Sequence, residues 1–156
     1  MIIQQKNQSK RGNRQRGIAI VEFVIVLPVV LFITLGVAEM GNAIRQYNAL
    51  TQSVRDGTRH LAEWAARGNT PVNITSSLVT EVSNLVVYGS TVAGTPRLPG
   101  LTPTNVTLQD LGDGQVSVSA SYAYQPLLIG GIPDLVGVGS TGGTFTMNAE
   151  VVMRAL

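Results

Sequence analysis

Arg14-Gln15-Arg16-Gly17-Ile18-Ala19-Ile20-Val21-Glu22-Phe23-Val24-Ile25-Val26-Leu27-Pro28 joins a basic, polar stretch to an apolar one, and this junction decides the fold. On its C-terminal side, residues 18–38 are almost wholly apolar, with Glu22 their only charge. At about 1.5 Å per residue, a helix of this length reaches roughly 31 Å, enough to cross a bilayer core. On its N-terminal side, residues 1–17 are polar and without periodicity, as expected of an unstructured leader. Lys6, Lys10, Arg11, Arg14 and Arg16 all precede Glu22, the first acid. Positive charge at this flank predicts a cytoplasmic N-terminus, with the remainder translocated. A secretory signal has an apolar core of about 7–15 residues closed by a small-residue cleavage site. The run here is longer and flows into further helix.

Bulk composition agrees with that reading. Hydrophobic residues make up 44% and charged residues only 13%, against about 25% charged in soluble domains, so apolar residues must be concentrated in one segment. A length of 156 residues suits one compact domain with an appendage. The absence of cysteine excludes disulfides and thiolate metal sites. A net charge of +2 invites a nucleic-acid reading, but residues 18–156 hold six basic and nine acidic side chains, a balance of −3. No basic patch is left to neutralise a run of phosphates, and no nucleic-acid partner is expected.

Beyond the span, Met40, Tyr47, Val54 and Leu61 recur every seven residues. Ala43 or Ile44, Leu50, Gly57 or Thr58, and Trp64 or Ala65 fill the intermediate positions. This pattern predicts an amphipathic continuation over 39–66 and one helix from Ile18 to about Ala66. Arg67-Gly68-Asn69 is expected to stop it, and Thr70-Pro71 to cap a second helix running to about Val87. Pro96, Pro99, Gly100 and Pro103 then make a loop. Asn105–Leu111, Gln115–Tyr124 and Thr144–Arg154 read as strands by their alternation. Val116, Val118, Ala120, Tyr122 and Tyr124 share one face, as do Phe145, Met147, Ala149, Val151 and Met153. Leu111-Gly112-Asp113-Gly114 is a hairpin turn. The fold class expected is α+β: a long N-terminal transmembrane and amphipathic helix, a short second helix, and a small antiparallel β-sheet head over 67–156.

Other chemistry-bearing residues do not converge. His60, the one histidine, lies near Asp56 and Glu63, but a metal site needs three or four ligands, so a solvated helix face is expected. Arg55, Arg59 and Glu63 read as surface pairs. Gly137-Val138-Gly139-Ser140-Thr141-Gly142-Gly143 lacks the lysine and the helix of a phosphate loop. Asn73-Ile74-Thr75 and Asn105-Val106-Thr107 are formal glycosylation sequons. No catalytic, metal or cofactor site emerges, and the chain is not expected to be an enzyme.

The opening stretch resembles a type IV prepilin signal: basic leader, Gly17, apolar segment, and Glu22 at the fifth position after the glycine. More narrowly, Val21-Glu22-Phe23 followed by Pro28 resembles the TadE-like family, minor pilins of tight-adherence (Flp) pili, over roughly residues 14–66. The resemblance implies cleavage between Gly17 and Ile18 by a prepilin peptidase, so that 1–17 is lost. It further implies assembly through Glu22 with other pilin subunits and an inner-membrane assembly platform, in the bacterial cytoplasmic membrane or a surface pilus. Physical chemistry supports these roles. An acid near the bilayer centre costs on the order of 2.5–3.5 kcal/mol, and a neighbour's Ile18 α-amine could pair with Glu22. Pro28 lacks the N–H that would bond residue 24, which predicts a kink. The alternative is an unprocessed single-pass anchor presenting an extracytoplasmic binding head.

Overall fold

A computed structural model describes residues 11–66, 72–127 and 145–155, and of residues 11–17 the backbone alone. Helix α1 (Arg11–Ala65) and helix α2 (Ser76–Tyr88) precede a 3-10 turn (Pro103–Asn105) and strands β1 (Val106–Gly112), β2 (Gln115–Ala123) and β3 (Thr146–Arg154). The α+β order matches expectation, but α1 starts at Arg11 rather than Ile18. Arginine and glutamine are good helix formers, so a helix nucleated in the apolar span propagates back into Arg14-Gln15-Arg16.

The chain divides into two units, Met1–Ala38 and Glu39–Leu156. In the first, none of the described side chains is buried, and Ile18, Phe23, Ile25 and Ile33 are each at least 60% exposed. Among the described residues, this is the one helix long and apolar enough to cross a membrane.

In the second unit, α1 buries Asn42, Gln46, Leu50, Ser53, Val54, Gly57, Thr58, Leu61, Ala62 and Ala65. Val54 and Leu61 were expected there. Met40, Ile44, Tyr47 and Trp64 are instead exposed, with Ala43 and Ala65 turned inward in place of Ile44 and Trp64. A seven-residue repeat drifts by about 20° per repeat on a straight helix, and an eleven-residue repeat by about 20° the other way, so a straight helix follows neither for long. The buried face steps by three and four residues through Asn42, Gln46, Leu50, Ser53, Gly57, Leu61 and Ala65, and leaves the heptad positions Met40 and Tyr47 outside.

Helix α2 starts at Ser76, where the Thr75 hydroxyl caps the Leu78 N–H. The expected stop at Arg67-Gly68-Asn69 and cap at Thr70-Pro71 lie outside the described residues. Leu78, Val82, Val86 and Val87 of α2 are buried. Gly57 permits the approach of the two helices, since a Cβ there would lie 2.4 Å from Val86 Cγ2.

The sheet order is β1-β2-β3, both pairs antiparallel. Asp113 and Gly114, at φ 53° and 71°, form the two-residue turn between the Gly112–Gln115 pair, the backbone of a type I′ hairpin. Val116, Val118, Ala120, Tyr122, Met147 and Ala149 bury the inner face in one cluster with α1 and α2. Two residues depart from the expected faces. Ser117 is buried on the outer side, a small side chain between its register partners Gln109 and Val152. Phe145 precedes β3 and is half exposed, stacked on Tyr124 at 4.9 Å. The Pro96–Pro103 loop inserts Leu98 and Leu101 into the cluster. Arg97 ties this loop to α1 through Asp56 at 3.1 Å and to α2 through the Val87 carbonyl at 2.8 Å.

Leu61→Ala should therefore destabilise the head by about 2–5 kcal/mol, and Gly57→Leu by about 1–3 kcal/mol through overpacking. Met40→Ala, on the heptad but off the buried face, should change stability by less than about 0.5 kcal/mol. Denaturant unfolding of the full-length protein in detergent measures all three.

Candidate functional site

Gly17, Ile18, Glu22 and Pro28 all lie on α1. Ile18 and Glu22 are four residues apart and so share one face, a single turn from each other. Glu22 is exposed, flanked by Val21 and Phe23, which are 60% and 62% exposed. Pro28 stands inside the helix, which is assigned on both sides of it. Lacking an N–H, Pro28 leaves the Val24 carbonyl without its usual donor. Further along, Thr34 Oγ1 donates to the Val30 carbonyl at 2.7 Å, a local bond that lets a hydroxyl sit in an apolar helix. The segment therefore presents an apolar face, one carboxylate and one weakened turn, and it makes no internal core.

A second constellation lies at the start of the head, where α1 residues 39–46 meet the end of β2. Gln46 makes three bonds. Its Oε1 accepts from the Tyr122 hydroxyl at 3.0 Å and the Gln125 N–H at 3.3 Å, while its Nε2 donates to the Gln125 carbonyl at 2.7 Å. The side-chain amide thus pairs with the backbone of Gln125 as a neighbouring strand would. Asn42 Nδ2 donates to the Tyr124 hydroxyl at 3.2 Å and to the same carbonyl at 3.3 Å, and Arg45 donates to Asn42 Oδ1 at 2.8 Å. The Tyr124 hydroxyl donates to the Glu39 carboxylate, which also accepts from the Leu127 N–H at 3.1 and 3.2 Å. Burial pushes the Tyr122 hydroxyl above the usual tyrosine range. Tyr124 is raised as well, first by burial and then by its bond to Glu39.

Sequence reading missed this network because Glu39, Asn42 and Gln46 are polar and lie off the seven-residue apolar stripe. The available signal was positional: Asn42 and Gln46 extend the Leu50, Val54, Leu61 face at helical spacing, where a polar residue must find a partner.

His60 is not on a solvated face. Its side chain is 20% exposed, with Nε2 at 3.6 Å from Glu81 Oε2 of α2 and its ring 5.8 Å from that of Trp64. No group of three metal-ligating residues occurs among the described residues. Arg59 and Glu63 form the expected exposed pair at 3.7 Å. Asn105 of the second sequon spends its side-chain oxygen on the Thr102 N–H. The glycine-rich stretch 137–143 lies outside the described residues.

Among the described residues, one helix long and apolar enough to cross a membrane, continuing into an α+β head, defines the class of molecule. Residues 17–59 match the family of TadE-like proteins. The match opens on Gly17, includes Glu22 and Pro28, and runs into the buried stripe of the head. It is the family that Gly17, Val21-Glu22-Phe23 and Pro28 implied. Comparison with curated proteins and with solved structures found no match.

Gln46→Leu should cost the head about 1–3 kcal/mol for each buried polar group left unpaired, read as a loss of thermal stability. Because the raised tyrosine values favour the neutral hydroxyl in the folded state, the folded protein holds these protons more tightly than the unfolded chain. The stability that these two hydroxyls contribute should be fully present below about pH 10 and be lost as pH rises beyond it. Tyr122→Phe should flatten part of that alkaline fall in the unfolding midpoint.

Proposed function

We propose that this chain is a structural subunit of a tight-adherence pilus or a related secretion apparatus, a minor pilin or pseudopilin rather than a catalyst. The observation that carries the reading is the TadE-like match over 17–59, which falls on a helix whose apolar span is unburied by its own chain. An apolar face of that size needs lipid or other helices around it. In this reading a prepilin peptidase cuts between Gly17 and Ile18 on the cytoplasmic side, and the basic leader is lost. The new Ile18 α-amine of one subunit then pairs with Glu22 of another, fixing their stagger in a medium where an unpaired charge is costly. Pro28 supplies a turn that yields as helices pack. The assembly platform in the inner membrane and the other pilins are the partners, and no cofactor is involved.

One observation favours the alternative, an unprocessed anchor. Helix α1 extends back through Gly17 to Arg11, so a peptidase must unwind the helix to reach the bond. Glycine at that position makes the unwinding easier, by about 1 kcal/mol relative to alanine.

Intact mass of protein co-expressed with its peptidase separates the two. Processing should give a chain beginning at Ile18, and a bulky residue at Gly17 should abolish it; a retained Met1 would establish the anchor instead. Glu22→Val should leave the amount of membrane protein level, because the span becomes more apolar. Crosslinking to pilus subunits should fall several-fold. Undiminished assembly of that variant would remove Glu22 from the mechanism.

A further inference from the structure

Met40, Ile44 and Tyr47 step by four and three residues and so stand on one face of α1. Each is between 46% and 67% exposed, although Asn42 and Gln46, between them in the chain, are buried under the sheet. Ala43, Ile44 and Tyr47 also line a groove of about 400 Å³ whose lining includes Phe145 and Met147, and Phe145 is half exposed. Further along the helix the same face turns polar. Thr51 donates its hydroxyl to the Tyr47 carbonyl at 3.0 Å, and Arg55 is exposed.

The place of this face on the chain decides what meets it. The apolar run closes at Ala38. At about 1.5 Å per residue, Met40 follows it by about 3 Å of helix, Ile44 by about 9 Å and Tyr47 by about 14 Å. The headgroup zone adds about 5–8 Å on each side of a hydrocarbon core about 30 Å thick. Helical side chains lean toward the N-terminus, which brings Ile44 and Tyr47 back toward the run. A helix tilted by about 20°, the average for membrane spans, lowers them further when it inclines to this side. Tyrosine suits that depth, with its ring among apolar groups and its hydroxyl in water.

A protein partner fits this face less well. A stable protein interface takes about 800 Å² from each side, and four partly exposed side chains are a small patch beside that. Lipid needs no such area, because a chain anchored by its span holds the patch against the bilayer at high effective concentration.

We propose that this face lies in the headgroup zone of the lipid bilayer that holds the span, with Met40, Ile44 and Phe145 toward the acyl chains and Tyr47 at the water boundary. The inference rests on the reading of residues 18–38 as that span. It makes the bilayer surface a binding partner of the head as well as the solvent of the anchor.

The chain has no cysteine, so single substitutions at exposed sites give uniquely labelled protein. Full-length Val30→Cys, Ile44→Cys, Tyr47→Cys and Arg55→Cys variants, each bearing a nitroxide, are reconstituted into vesicles of phosphatidylethanolamine and phosphatidylglycerol. Electron paramagnetic resonance compares the access of each label to oxygen, which partitions into lipid, and to a neutral nickel chelate, which stays in water. The ratio of oxygen to nickel access should be highest at position 30, and at positions 44 and 47 several-fold above that at 55. If positions 44 and 47 match 55 while 30 stays in lipid, the inference is overturned and the span stands. If position 30 also matches 55, the span falls and the inference with it. Labels at 44 and 47 shielded from both reagents mean that protein covers this face, which overturns the inference as well. Trp64 is the one tryptophan, so Tyr47→Trp on a Trp64→Phe background gives a second readout that keeps an aromatic ring in place. Phospholipid brominated near the glycerol should quench its emission several-fold; unchanged emission overturns the inference.

Discussion

A three-stranded sheet with one wet face has too little core to stand alone in water, and it must lay its dry face on something. In this head the cover is a face of α1 between Asn42 and Ala65, completed by α2. That requirement organises the rest of the head. Gly57 is small so that α2 can close on α1, Arg97 holds the connecting loop down, and Leu98 and Leu101 fill the remaining gap. The polar groups at the N-terminal end of the same face are the second half of the constraint. A helix that comes out of an apolar span and goes directly into a sheet contact must satisfy the strand end it covers. Asn42, Gln46 and Glu39 do so by bonding the backbone at Gln125 and Leu127.

Much of this was legible in the sequence. The apolar span, the two helices and the hairpin at Asp113-Gly114 follow from local patterns, because each is fixed by residues a few positions apart. The motif that carries the family resemblance was legible for the same reason: Gly17, Glu22 and Pro28 lie within about three turns of one helix. What local patterns could not supply was the phase of the α1 face. The heptad through Met40, Tyr47, Val54 and Leu61 meets the buried face at Val54 and Leu61 and leaves it at Met40 and Tyr47, a phase that contact with the sheet sets. The Gln46 network was hidden more deeply, since its partners are separated by 76 to 79 residues and a buried glutamine looks like a surface one until its partner is known. Of Trp64 and Ala65, between which the sequence left the inward position open, Ala65 takes it.

The network also imposes an order on synthesis. Residues 39–46 of α1 find their partners at residues 122–127, and β3, which supplies Met147 and Ala149 to the core, follows later still. At about 5–20 residues per second, a ribosome needs several seconds to make the intervening chain. For that interval the Leu50, Val54 and Leu61 face has no sheet to cover it. Such long-range closure makes for slow folding. Until residues 145–155 are made, the nascent helix carries an apolar strip open to any dry surface, and contact with a second copy competes with folding.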